Sequence, residues 1–152
     1  MITTETSGRD YRRNLDLARV LLVDDELASR LTLQTVLEAG GYWVDVAASS
    51  AEGLDKLDEQ EYELVLTDLR KEGAESGPKV LAYARVKPYK PATALITADH
   101  DSKLAVPPLD SQEVSIQAQD VINLLGKVAY LIGLRASKRS DRALRQLRPQ
   151  PV

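Results

Sequence analysis

The sequence predicts an α/β fold, a parallel sheet covered by helices on both faces. Two observations carry this. Short runs rich in Val, Leu, Ile and Ala, such as "ARVLLVDD", "YELVLTD" and "ATALITA", are apolar almost throughout. An unbroken apolar run, without polar alternation, marks a strand buried on both faces. Between these runs lie segments whose apolar residues recur at helical spacing, and strands alternating with helices make a parallel sheet. A chain of 152 residues is long enough for one domain with a full core. It shows no internal repeat and no internal boundary.

The elements follow in order. "ARVLLVDD" (18–25) reads as the first strand. "ELASRLTLQTVLEAGG" sets Leu27, Leu31, Leu33 or Gln34, and Leu37 on one helical face, and Gly40-Gly41 stops the helix. "YWVDVAAS" reads as the second strand. Ser49 or Ser50 can cap a short helix that carries Leu54 and Leu57 on one face. "YELVLTD" (62–68) is the third strand, and "LRKEGAESG" is a loop. "PKVLAYARVK" is helical, with Pro78 suited to a first turn. "ATALITA" (92–98) is the fourth strand, and "EVSIQ" a weak fifth. In "DHDSKLAVPPLDSQ" a helix can begin, but Pro107-Pro108 would end it. "AQDVINLLGKVAYLIGL" is amphipathic, with Val121, Leu124, Leu125, Val128, Leu131 and Ile132 on its apolar face.

Composition excludes several chemistries. There is no cysteine, so neither disulfides nor thiolate metal sites can form. His100 is the single histidine, which rules out a multi-histidine metal site. No apolar run nears the ~20 residues of a membrane span, and the N-terminus lacks an apolar signal region. A cytoplasmic location is expected. The net charge of -3 exerts no general pull toward nucleic acid. The charge is uneven, however. "LRASKRSDRALRQLRPQPV" carries Arg135, Lys138, Arg139, Arg142, Arg145 and Arg148 against Asp141 alone. This tail can extend the last helix, link to an output domain, bind a partner or touch an anionic surface. It has no aromatic interleaving, so direct sequence-specific nucleic-acid binding is not expected.

In such a sheet, ligands bind beyond the carboxyl ends of the strands. Asp24 and Asp25 end the first strand, Asp68 the third, and Thr97 lies at the end of the fourth. One acid after a strand is commonly a solvated loop residue or a helix cap. The joint pattern asks for more. Carboxylates crowded together repel and drift up in pKa. A hard divalent cation such as Mg²⁺ relieves this with oxygen ligands. A further carboxylate beside it can attack phosphorus. The chemistry indicated is phosphoryl transfer onto an aspartate.

These residues carry a family resemblance. "VLLVDDE", "YELVLTDLR" and "ALITA", in this order and spacing, resemble the motifs of the receiver domain of bacterial two-component response regulators. The resemblance covers about residues 18–134. It implies a doubly wound, flavodoxin-like sheet of five strands in the order 2-1-3-4-5. It implies Asp68 as phosphoacceptor, served by a histidine kinase or phosphotransfer protein. Asp24, Asp25, Asp68 and the backbone carbonyl of Arg70 would hold Mg²⁺, Asp25 more directly than Asp24. Thr97 would contact the phosphoryl group and act as a switch. Readout would pass to a downstream protein or an absent output domain, with a homodimer left open, and the chain would be a phosphoacceptor and not an enzyme.

Three departures stand out. Aligning "VSIQAQDVINLL" puts Gln117 where the family has a lysine, so the acidic cluster loses its built-in cation. Lys103 reaching in is the less favoured substitute. Val114 replaces the usual aromatic switch residue, and Pro107-Pro108 predicts a short or degraded fourth helix. Acceptor chemistry is thus expected to persist with weaker or shorter-lived effect. The second reading is a pseudo-receiver, an interaction module independent of phosphorylation. A haloacid-dehalogenase-like phosphatase ranks below both, since "DLR" lacks its second acid. Trp43 is expected to be a half-buried strand residue, His100 a solvated loop residue, and Arg70 a solvent-facing side chain. Residues 1–16 read as a flexible lead-in, 17–134 as the domain, and 135–152 as a basic tail or helix extension.

Overall fold

A computed structural model describes residues 18–97, 114–117 and 121–147. The lead-in at 1–16, His100, Lys103, Pro107-Pro108 and the helix expected around them lie outside the described residues. The elements are β1 (Arg19–Asp24), α1 (Leu27–Ala39), β2 (Trp43–Ala47), α2 (Ser50–Glu59), β3 (Leu64–Asp68), α3 (Ser76–Arg85), β4 (Ala92–Thr97), β5 (Val114–Gln117) and α4 (Val121–Leu147). The strands form one five-stranded parallel sheet in the order β2-β1-β3-β4-β5, as expected.

The apolar strands alternate their side chains between two cores. Val20, Leu22, Leu64, Leu66, Ala94 and Ile96 point to one face. There α1 supplies Leu33 and Leu37, and α4 supplies Leu124, Val128 and Leu131. Leu21, Val23 and Val65 point to the other, against Leu57 of α2 and Val80, Leu81 and Ala84 of α3. Burial on both faces explains why β1 and β3 read as unbroken apolar runs. Each fully buried Leu or Val contributes roughly 1.5–3 kcal/mol of transfer free energy.

Local signals set the element ends. Gly41 has φ +96, a left-handed turn that glycine adopts without a Cβ penalty, so α1 stops there and the chain turns into β2. Ser49 is the cap of α2, its side chain accepting the Glu52 N–H at 3.1 Å. Gly53 meets β1 so closely that a Cβ would stand 3.0 Å from Val23 Cγ2. The basic segment from Arg135 continues α4 as helix through Leu147.

Trp43 is 40% exposed, and the Arg19 guanidinium lies 5.3 Å from its ring centroid. Its register partner is Arg19, at the start of β1. It therefore sits at the opposite sheet edge from Asp24 and Asp68, and its fluorescence cannot serve as a local reporter of that site.

Candidate functional site

The parallel register delivers the acids to one edge. Asp24 and Asp68 are register partners at the carboxyl ends of β1 and β3. Thr97 and Gln117 are register partners at the ends of β4 and β5. The backbone thus brings the predicted hydroxyl residue and the residue at the usual lysine position side by side.

Asp24 is fully buried. Its Oδ1 accepts the Glu26 N–H at 2.9 Å, a local turn bond that leads the chain into α1. Its backbone carbonyl accepts Arg30 Nη1 at 3.0 Å. Asp25 Oδ2 accepts two backbone N–H groups of the loop after β3, Lys71 at 2.7 Å and Glu72 at 2.9 Å. The remaining oxygens, Asp24 Oδ2 and Asp25 Oδ1, are buried and have no hydrogen-bond partner. A buried carboxylate oxygen left unpaired is costly. Two from adjacent residues at one sheet edge form a donor set that fits a hard divalent cation.

Asp68 is 1% exposed, and both of its oxygens are engaged. Arg70 Nε donates to Oδ1 at 2.8 Å and Arg70 Nη2 to Oδ2 at 3.1 Å. Ser29 Oγ, from the first turn of α1, donates to Oδ2 at 3.3 Å. Burial pushes the Asp68 carboxyl above the usual carboxylate range. The Arg70 bonds and charge oppose that rise, the Asp24 charge adds to it, and the Ser29 bond opposes it. Desolvation outweighs the ion pair because the guanidinium is itself 41% exposed, so water screens its charge.

One expectation is extended and one corrected. The Arg70 side chain is exposed, as expected, but it also forms a two-point pair with Asp68. The acidic edge therefore keeps a built-in cation even with Gln117 at the lysine position. The fork suits this geometry, since Arg presents parallel donors matched to a carboxylate. Ser29 was also missed. The signal was available in outline: a residue two after a strand-end acid, or in the first turn of the next helix, lies over the carboxyl edge. Among the described residues no three acidic side chains are grouped closely enough to hold a metal ion; Arg70 pairs with Asp68 and loop amides bond Asp25.

Residues 20–122 match the family model described as the response regulator receiver domain. Over 80 residues the chain is 39% identical to the alginate biosynthesis transcriptional regulatory protein AlgB of Pseudomonas putida, a match covering 53% of this chain and 18% of that protein. The chain thus spans under a fifth of its curated relatives' length. Among solved structures it resembles a CheY-like response regulator receiver domain protein from Methanospirillum hungatei, at 25% identity and a TM-score of 0.68, covering 80% of this chain and 98% of that one. It also resembles the response regulator protein TrrA of Thermotoga maritima in complex with Mg²⁺ and BeF, at 28% identity and a TM-score of 0.63, covering 75% and 98%.

Proposed function

The chain belongs to the response regulator receiver domain family, and from that premise we propose that it accepts a phosphoryl group on Asp68 and signals by protein contact. The donor is a histidine kinase or phosphotransfer protein in the cytoplasm, and the reader is a partner protein or an attached output domain. One observation supports the reading above the others: Asp68 is buried at the carboxyl end of a central strand, level with Asp24. At the end of β1 and in the residue after it, Asp24 and Asp25 each keep one buried carboxylate oxygen without a partner.

Asp24, Asp25, Asp68 and the Arg70 carbonyl would hold Mg²⁺, which when bound supplies positive charge to the transferring phosphoryl group. The Mg²⁺ and BeF complex of the similar TrrA supports this assignment. An Asp68 carboxylate oxygen attacks phosphorus as the P–N bond to the donor imidazole breaks, and that bond's electron pair leaves with the nitrogen. The Arg70 fork must release at least one Asp68 oxygen first. Once phosphate is attached, the same fork can pair with its oxygens in place of the missing lysine. Thr97 donates to a phosphoryl oxygen, and Gln117 adds an uncharged donor at the next strand.

Incubation with acetyl phosphate and Mg²⁺, followed by intact mass measurement, tests this. The expected result is a gain of one phosphoryl group that disappears in Asp68→Ala. No gain, or a gain surviving that substitution, overturns it. The second reading, a phosphorylation-independent interaction module, draws on the same atoms, because Arg70 and Ser29 already occupy both Asp68 oxygens. It is the reading that a null mass result would favour.

A further inference from the structure

At the opposite sheet edge from Asp68, a cavity of about 440 Å³ opens between the end of α3, the start of β4 and the outer part of α4. Six cations line it: Arg85, Lys90, Arg135, Lys138, Arg139 and Arg142. No acid does. Such crowding of like charge is unfavourable unless something negative occupies the space.

Three further features hold its inner residues, Arg85, Arg135 and Lys90, in place. Arg85 Nε donates to Thr93 Oγ1 at 3.2 Å, which fixes the guanidinium, while its Nη2 is buried with no hydrogen-bond partner. Arg135 donates to two loop carbonyls, Lys90 at 2.9 Å and Tyr89 at 2.6 Å, which holds α4 against the loop. Lys90 has φ +44, a left-handed backbone that a lysine rarely adopts and that signals a constrained position. Burial, with Arg139 and Arg142 close by, holds the Arg135 guanidinium below its ordinary pKa, although Glu63 and Glu61 nearby work the other way.

We propose that this cavity binds a small phosphorylated molecule bearing two or more phosphoryl groups. Four arginines lining one volume match multiple tetrahedral anions better than a single carboxylate. The cavity is of the size of small-molecule sites and larger than one phosphate needs. Leu131, Leu134 and Pro91 give an apolar wall for the rest of the ligand. The site is separate from the acceptor edge: β4 alone, six residues from Ala92 to Thr97, spans roughly 17 Å.

Titration calorimetry of the full chain at low salt, with pyrophosphate and ADP as probes and inorganic phosphate as control, tests the site. Either probe should bind more tightly than phosphate. The double variant Arg139→Glu with Arg142→Glu should weaken binding by about tenfold or more. Arg145→Glu alters charge outside the lining and should change affinity by less than about twofold. Circular dichroism confirms folding of each variant, and Lys138→Gln provides a milder change with a loss of about threefold. Failure of both probes to bind overturns the proposal. So does parity with phosphate, equal loss in Arg145→Glu, or displacement of ADP by a tighter-binding single-stranded oligonucleotide, which would make this face a nucleic-acid patch.

Discussion

At the scale of single residues, Asp68 and Arg70 form a balance that can be tipped from either side. The Asp68 carboxyl is raised by burial despite Arg70. A carboxyl raised in the folded state favours folding where it is protonated. That contribution is complete below the unfolded pKa and is lost as pH rises through the folded value. Near neutral pH, without metal, ionised Asp68 therefore works against the fold. Asp68→Asn should raise Tm at pH 7 in chelator by on the order of 2–4 °C, and the gain should shrink toward pH of about 4. Calorimetry reporting a lower Tm would show that the Arg70 pair outweighs desolvation. Arg70 competes with a metal for the same oxygens, so Arg70→Ala should tighten Mg²⁺ binding by about fivefold, the equivalent of about 1 kcal/mol for a half-exposed pair. An unchanged or weaker Mg²⁺ affinity by titration would remove Arg70 from that competition. Thr67, next to Asp68, is buried with its Oγ1 lacking a partner. Thr67→Val keeps the shape and removes an unsatisfied hydroxyl, so it should be neutral or stabilising by up to about 1 kcal/mol in denaturant melts.

At the scale of elements, what could be read from the sequence follows from how local each signal is. β1 and β3 were legible because burial on both faces leaves an unbroken apolar run. The cap at Ser49 and the stop at Gly40-Gly41 were legible because a hydroxyl before a helix and glycines after one act through their own backbone. Gly53 was not, because its reason lies in another element. Within a helix, glycine is costlier than alanine by about 1 kcal/mol. It is kept because Val23 stands so near that a Cβ would meet Cγ2 at 3.0 Å and Cγ1 at 3.3 Å. Val23 is fully buried and stiff at χ1, so it cannot give way. Gly53→Ala should therefore destabilise the domain by about 1 kcal/mol, overpacking of roughly 1–3 kcal/mol exceeding the gain in helix propensity. A stabilised variant in urea unfolding would mean α2 can shift off β1. The Arg70 side chain was illegible for the same reason as Gly53: its partner is named by geometry at the strand end, not by sequence spacing.

At the scale of the whole molecule, charge is sorted between the two edges of the sheet. Asp24, Asp25 and Asp68 gather at one, while the outer part of α4 carries cations toward the other. The sequence disclosed both groups but not that they lie at opposite edges, since that depends on which way α4 runs over the sheet. It placed the end of the body at residue 134 and left open whether 135–152 is a tail or a helix extension. The structure supplies a physical criterion. Leu124, Val128 and Leu131 are buried against the sheet, Arg135 bonds the Tyr89 and Lys90 carbonyls, and every residue from Ala136 to Leu147 is exposed. The large apolar residues of that outer stretch, Leu144 and Leu147, are 62% and 79% exposed, so deleting the stretch gives up little buried apolar surface, and it relieves repulsion, since Arg139 and Arg142 add to burial in depressing the Arg135 guanidinium. A short helix without packing is marginal on its own and persists here as the continuation of a buried one. Truncation after Arg135 should accordingly shift Tm by less than about 2 °C, with Trp43 fluorescence reporting the same unfolding transition before and after. A fall of more than about 5 °C, over 1 kcal/mol for a domain of this size, would mean that the basic helix packs on the body and that the folded unit extends to the end of α4.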